Sequence, residues 1–353
     1  MPSFNATSGS EHVGLQAFPT GGTGIVLSGG GAKGAWEAGA VKALAEIGAR
    51  VSSVSGASVG ALNGAVVSAA RELDEAASRL MAAWGGIGPA SVLVPNLETI
   101  GNALLTLFVK RKTGNSDARK AEAGKADAGK TPAMVAGGRA AKARDVLSGF
   151  SRDGVFSTEG LRGILDRYCP DDELERGLPL YVSLFPDSVP GAGKAVVELA
   201  AAQFGKRDSR KPVFALVQDL PLRMRKEAVL ASATLPFVFG TGRVGEERFR
   251  DGGMGAWKGR EGNTPAGPLA NGLCARIIVL HLETGTPWRP PVGAKAAMLE
   301  LSPSVPLKSG GRMPAVLDFS RRSLDRWTDL GYRDVSARRG EVEGFLGDAN
   351  RKP

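Results

Sequence analysis

Histidine and cysteine are nearly missing from this 353-residue chain, with two of each, and tyrosine occurs only three times. The two cysteines, Cys169 and Cys274, lie far apart without motif spacing. That excludes a disulfide framework and a cysteine-rich zinc site, and it reads as buried thiols in a reduced compartment. Neither a histidine cluster nor a group of carboxylates in ligand spacing is present, so no metal is expected. No apolar run reaches ~18 residues, which excludes a membrane-spanning helix. The first residues lack a basic stretch followed by an apolar one, so no secretory signal is read there and a cytoplasmic location is expected.

What is present is ordinary for a globular protein: 42% apolar and 23% charged residues. The chain is long enough for one large α/β core, and neither an internal repeat nor a linker between two cores is evident. One domain is expected over residues 23–335, after a flexible leader (1–22) and before a C-terminal tail (336–353). The net charge of +9 is unevenly placed. Residues 110–145 hold ten Lys or Arg against four acids, two thirds of the excess. Within this stretch, 113–144 is low-complexity Ala, Gly and Lys, the signature of a mobile insertion. An apolar helix is expected just before it, over 97–109.

The most informative stretch is Gly56-Ala57-Ser58-Val59-Gly60. A β-branched segment (51–54) precedes it and a helix-forming one (61–70) follows. A G-x-S-x-G between strand and helix holds its serine on a tight turn, with flanking glycines that let two backbones pass closely. In a chain with 49 glycines the pentapeptide alone is a weak signal, and an ordinary turn is the bland reading. Its neighbourhood adds weight. A short buried strand (24–28) runs into Gly29-Gly30-Gly31-Ala32-Lys33-Gly34, and a helical pattern follows to Ile47, with Gly48 as its stop. This β-α-β-α opening implies a parallel sheet. The glycine loop offers backbone N–H groups at a helix start, where developing negative charge is stabilised. Much later, Asp251-Gly252-Gly253 follows a strand candidate at 248–250. Further strands are expected at 178–184, 213–217 and 274–282, and helices at 159–168, 222–232 and 316–330.

These residues resemble the patatin-like phospholipase family. Gly29–Gly34 is similar to its G-G-G-x-[K/R]-G loop, Gly56–Gly60 to its G-x-S-x-G, and Asp251–Gly253 to its D-G-[G/A]. Residues 231–239 resemble its A-S-A-x-x-P-x-x-F block, and Asn263-Thr264-Pro265 its N-x-P. Ser302-Pro303-Ser304 and Gly331-Tyr332 resemble late positions. The matches run in order over roughly 23–335, interrupted by the basic insertion. The resemblance implies a three-layer α/β/α fold with a mainly parallel sheet, and a Ser–Asp dyad that hydrolyses lipid acyl esters. Carried over by position, Ser58 attacks the ester, Asp251 takes its proton, and backbone N–H groups of Gly29, Gly30, Gly31 and Ala32 hold the oxyanion. Lys33, Gly34, Gly56, Gly60, Gly252 and Gly253 support the motifs, with Lys33 read as solvated or phosphate-facing. The implied activity is phospholipase A or lysophospholipase, with no cofactor.

Alternatives stand beside it. The glycine loop also satisfies G-x-G-x-x-G, but a dinucleotide site needs an acid about 20 residues later, and residues 51–55 offer none. Ser58, Asp251 and His281 occur in the order of an α/β-hydrolase triad. A patatin-like fold that binds lipid without turnover is the non-enzymatic reading. For membrane contact, the candidates are the 97–109 helix, the basic insertion, and Trp257 with Lys258 and Arg260. The basic segment contains no aromatic residue for base stacking, so nucleic acid is not an expected partner. The expected partners are phospholipid and the inner membrane surface.

Overall fold

The computed structural model describes residues 21–99, 155–187, 211–235, 238–254, 260–285, 288–311 and 313–347. The leader up to residue 20, the basic insertion, the 97–109 helix beyond residue 99, and Trp257 with Lys258 lie outside them.

The chain opens with strand β1 (Gly22–Leu27), a 3-10 turn (Gly31–Gly34), helix α1 (Ala35–Ile47), strand β2 (Ser53–Gly56) and helix α2 (Val59–Ala69). Helices α3 (Leu73–Gly86) and α4 (Pro89–Val92) follow, then a two-residue strand pair, β3 (Val94–Pro95) with β4 (Phe156–Ser157). Next come α5 (Glu159–Tyr168), α6 (Asp171–Arg176), β5 (Leu180–Pro186), β6 (Val213–Leu216) and α7 (Leu222–Ser232). The hairpin β7 (Gly242–Val244) and β8 (Glu247–Arg250) precedes α8 (Gly267–Ala270), β9 (Cys274–Leu280), β10 (Ala297–Leu301), α9 (Arg321–Ala337) and α10 (Arg339–Leu346).

The sheet runs β10-β9-β1-β2-β5-β8-β7, with β6 also paired to β5. The first five strands are parallel. The free edge of β5 is divided: Tyr181–Leu184 pair with β6, and Phe185 and Pro186 pair with β8, both antiparallel. The parallel strands are buried on both faces, so their alternate residues feed two cores. Ile25, Leu27, Ile278 and Leu280 join the large core under α1, α2, α3, α7 and α9. Val26, Ile277 and Val279 join a smaller one with Ala266, Leu269, Ala270 and Trp288. The result is a mixed α/β fold with helices on both faces, unequally thick.

Gly48 stops α1 in the left-handed region, with φ of 86°. Its N–H bonds to Ala45 O, and the Ala49 N–H to Leu44 O. The last long helix begins later than its apolar pattern suggests. Residues 315–317 form a separate turn, and Asp318 then organises the start of α9 by accepting from the Ser320 N–H (3.2 Å) and the Ser323 hydroxyl (2.7 Å). Those bonds, with one from Ser309, hold its carboxyl down at about 2 against the desolvation that opposes them. The stretch expected as a tail after 335 is helical instead, because Val342 and Leu346 of α10 bury their side chains in the main core.

Helices α1 and α9 lie against each other at backbone distance. A Cβ on Gly39 would sit 1.9 Å from Thr328 O, and one on Gly331 2.0 Å from Trp36 O. Gly39→Val is therefore expected to destabilise the fold by about 2–3 kcal/mol or more, since neither backbone can yield cheaply. Gly163→Ala in α5, where a Cβ meets nothing within 4 Å, is expected to gain ~0.5–1 kcal/mol from helix propensity. Denaturant unfolding of both variants measures the contrast.

Candidate active site

The sheet order brings three loops together at the carboxyl ends of β1 and β2. Ser58, in the turn from β2 into α2, has φ 54° and ψ −126°, a conformation that side-chain-bearing residues rarely adopt. It is held by close backbone crossings. A Cβ on Gly56 would stand 2.3 Å from Gly60 O, and one on Gly60 2.3 Å from Leu27 O. Both glycines are thus required for space. The Ser58 N–H donates to Ser232 Oγ at 3.0 Å.

The glycine loop leaves β1 beside this turn. The Gly29 N–H is already committed to Asn263 O at 3.0 Å, so Gly29 drops out of the expected set of oxyanion donors. Its glycine identity is steric, because a Cβ there would lie 2.6 Å from Asn263 Oδ1 and 3.1 Å from Ser58 Cβ. Gly30, Gly31 and Ala32 sit at the start of the 3-10 turn, where a helix leaves its first N–H groups over. Gly31 has φ of 57°, and a Cβ on it would lie 2.1 Å from Val316 O. The Val59 N–H, at the start of α2, is left over in the same way and was missed from sequence; its place directly after the elbow serine is the signal for it. Lys33 is neither solvated nor phosphate-facing: it is buried and paired with Glu283 at 3.5 Å, and burial lowers its pKa. Gly34 lets the loop pack on the elbow, since a Cβ there would be 2.6 Å from Val59 Cγ2.

Asp251 arrives from the other side. The antiparallel pairing of Arg250 with Phe185 brings it alongside the carboxyl half of β5, where a Cβ on Gly252 would touch Ser183 O at 2.0 Å. Its N–H donates to Thr234 O at 3.1 Å, and its Oδ1 accepts from the Gly253 N–H at 2.9 Å. Oδ2 is buried without a fully formed hydrogen bond among the described residues. Desolvation pushes the carboxyl up to about 6, opposed by the nearby Ser58 hydroxyl and the Gly253 amide. The hydroxyl is thus near the carboxylate but not yet aligned on it, a geometry that commonly tightens when substrate fills a site. Asn263 stands between the two loops: a Cβ on Gly253 would lie 2.7 Å from its Oδ1. That explains the asparagine after the aspartate motif.

His281 is not brought to Ser58. It follows β9, on the far side of β1 from β2, and its Nε2 pairs with Glu300 on the edge strand at 2.9 Å. Its ring lies against Trp288 at 5.5 Å. Cys169 and Cys274 are both free and buried, and burial raises the Cys169 thiol to about 12. No three His, Cys, Asp or Glu side chains converge as metal ligands among the described residues.

A narrow apolar cavity of ≈ 60 Å³ opens at Ser58. Leu62, Trp84, Leu165 and Phe239 line it, and Val316, Leu317 and Phe319 close it from the loop before α9. A hydroxyl beside a buried carboxylate, unsatisfied amides and an apolar chamber have the parts list of acyl transfer from an apolar acyl group.

A family model described as patatin-like phospholipase matches residues 25–257, a span that contains all three loops. The chain belongs to the patatin-like phospholipase family. Membership places it among lipid-hydrolysing enzymes. Among solved structures it is similar to VipD from Legionella pneumophila, at 14% identity over 93% of this chain and 70% of that one, with a TM-score of 0.41. It is also similar to the type III effector protein ExoU, at 17% identity over 92% of this chain, with a TM-score of 0.32. This chain spans 53% of the ExoU chain. Comparison with curated proteins finds no match.

If Asp251 must be charged to activate Ser58, labelling of Ser58 by a fluorophosphonate is expected to slow as pH falls through about 6. Asp251→Asn should abolish that pH dependence together with most of the labelling, while His281→Ala should leave the rate unchanged. Mass spectrometry of the labelled peptide across pH reads all three.

Proposed function

We propose that the protein is a serine acyl hydrolase that cleaves fatty-acyl esters of membrane phospholipids, as a phospholipase A or lysophospholipase. The observation that carries this reading is Ser58 on its strained turn, between a buried carboxylate with a pKa of about 6 and an apolar cavity. At neutral pH Asp251 is mostly ionised and basic enough to accept a proton, which an exposed aspartate does poorly. Ser58 Oγ attacks the ester carbonyl as its proton passes to Asp251. The N–H groups of Gly30, Gly31, Ala32 and Val59 receive the oxyanion. Collapse of the tetrahedral species returns the proton to the leaving alcohol and leaves an acyl-serine. A water molecule, deprotonated by Asp251, then attacks the acyl-serine, and the proton passes to Ser58 Oγ as the fatty acid leaves. No cofactor enters these steps.

The acyl chain is assigned to the apolar cavity. Its small volume means that a long chain enters only as side chains such as Phe239 and Leu317 give way, with the head group left outside. The substrate's location makes the protein a peripheral visitor to a membrane, and we place it at the inner, cytoplasmic surface. Among the described residues no helix is long and apolar enough to cross one. A Ser58–Asp251–His281 triad is disfavoured by the pairing of His281 with Glu300. A lipid-binding protein without turnover is the reading that the next experiment separates.

Fatty-acid release from phosphatidylcholine–phosphatidylglycerol vesicles is expected from the intact chain and absent from Ser58→Ala; lipid binding without release in either would favour the non-enzymatic reading. Leu317→Trp, which fills the cavity, should cut kcat/KM for a sixteen-carbon acyl ester about tenfold or more relative to an eight-carbon one. Equal loss for both lengths would remove the cavity as the acyl site.

A further inference from the structure

The two candidate catalytic residues come from loops that are far apart in sequence, and one short segment touches both. At the end of α7, Ser232 and Thr234 are buried, at 0% and 1% exposure. The Ser232 hydroxyl accepts from the Ser58 N–H at 3.0 Å and donates to Ser183 O at 2.7 Å. The Ser183 hydroxyl in turn donates to Gly252 O at 3.1 Å. Thr234 O accepts from the Asp251 N–H at 3.1 Å. The Thr234 hydroxyl donates to Ala231 O at 2.7 Å and accepts from the Gly242 N–H at 3.2 Å, which ties the hairpin carrying Asp251 to the same turn.

These bonds make a closed circuit: nucleophile amide, Ser232, β5, the turn after the base, and back through Thr234. Serine suits the centre of the circuit because one small hydroxyl can accept and donate at once. Its removal leaves a buried N–H and a buried C=O facing each other without a bridge. The N–H belongs to the residue whose backbone is strained, so that bond bears directly on where the Ser58 hydroxyl points.

We infer that Ser232 is a positioning residue for the hydrolysis, fixing the Ser58 hydroxyl against the Asp251 carboxylate through the Ser58 amide and the Ser183–Gly252 link. It touches no substrate atom. This rests on the acyl-hydrolase reading above, and it adds a member that has no chemistry of its own in the reaction. Thr234 acts beside it as the anchor of the Asp251 amide.

The test compares wild type, Ser232→Ala and Ser232→Cys, using vesicle hydrolysis, fluorophosphonate labelling of Ser58, and hydrogen exchange resolved at the Ser58 amide. In Ser232→Ala, kcat is expected to fall about 10²-fold, the loss typical of ~1 Å misplacement, with KM nearly unchanged. The acidic limb of its pH profile should move upward, because a displaced Ser58 hydroxyl no longer helps hold the Asp251 carboxylate in its charged form. Ser232→Cys, which keeps a weak donor and acceptor in place, should recover part of the loss. A folded Ser232→Ala with wild-type kcat and pH profile would overturn the inference. So would a loss that tracks only lowered thermal stability and is not rescued by cysteine.

Should the wild type neither hydrolyse lipid nor label at Ser58, the acyl-hydrolase reading fails, and amide exchange still decides the positioning claim. Exchange at Ser58 is expected to be about tenfold faster in Ser232→Ala, as a local opening loses its bond. Unchanged exchange would refute the role.

Discussion

The structure depends on one crossing of backbones. Where β2 turns into α2, the chain passes over itself between Gly56 and Gly60, and over the end of β1 between Gly60 and Leu27. No side chain fits at either point. That crossing forces Ser58 into a conformation that costs on the order of 1–3 kcal/mol and persists only where its surroundings over-determine it. The surroundings do so from three sides. Gly34 lets the first loop lie on Val59, Gly29 lets it pass Ser58, and Ser232 takes the Ser58 amide. Loosening any one would let the serine relax toward an ordinary turn, and its hydroxyl would leave the carboxylate.

Two buried carboxyls, Glu37 and Asp251, show what the interior does to an acid. Glu37 and Asp251 are both withdrawn from solvent, and desolvation dominates both. Glu37 accepts from Asn63 Nδ2 at 2.8 Å, and Asn63 also takes the Trp84 N–H and donates to Gly34 O. Even so, burial holds its pKa well above the ordinary range, and the side chain is a buried strut between α1 and α2. Asp251 has the Gly253 amide and the Ser58 hydroxyl, and it settles near 6 instead. The same low-polarity interior raises both acids, and at about 6 Asp251 is still mostly ionised at neutral pH, with raised basicity.

Much of the frame was legible because short-range chemistry dictates it. Helices α5 and α7 fall at the expected bounds, since their apolar spacing and turn residues agree. Gly48 ends α1 as a left-handed cap must. The elbow and the two glycine loops were legible as motifs because glycine there has no substitute. What was not legible depends on distant partners. Nothing local says that the Gly29 amide is taken by Asn263, 234 positions away. The burial of Lys33 against Glu283, 250 positions on, is equally silent in sequence. Strand β10 was missed because its burial alternates and its turn signals are weak, and α3 because its alanine-rich face hides its period. The C-terminal helix α10 carries only two fully buried apolar anchors, too few to distinguish it from a tail.

The family match ends at residue 257, yet the site does not. Val316 O sits where any side chain on Gly31 would be, so the seat of the glycine loop is a carbonyl from the loop before α9. Val316, Leu317 and Phe319 close the apolar cavity from that loop, and Asp318 pins it through three serines. Helix α9 then locks onto α1, the helix that continues the glycine loop, through the Gly39 and Gly331 contacts. A shift of α9 along α1 would therefore move the loop and the cavity wall together. Ser58 and Asp251 lie within the matched span, while the cavity at Ser58 is closed by residues outside it. The cavity beside Ser58 is accordingly shaped by the C-terminal third of the chain as much as by its motifs.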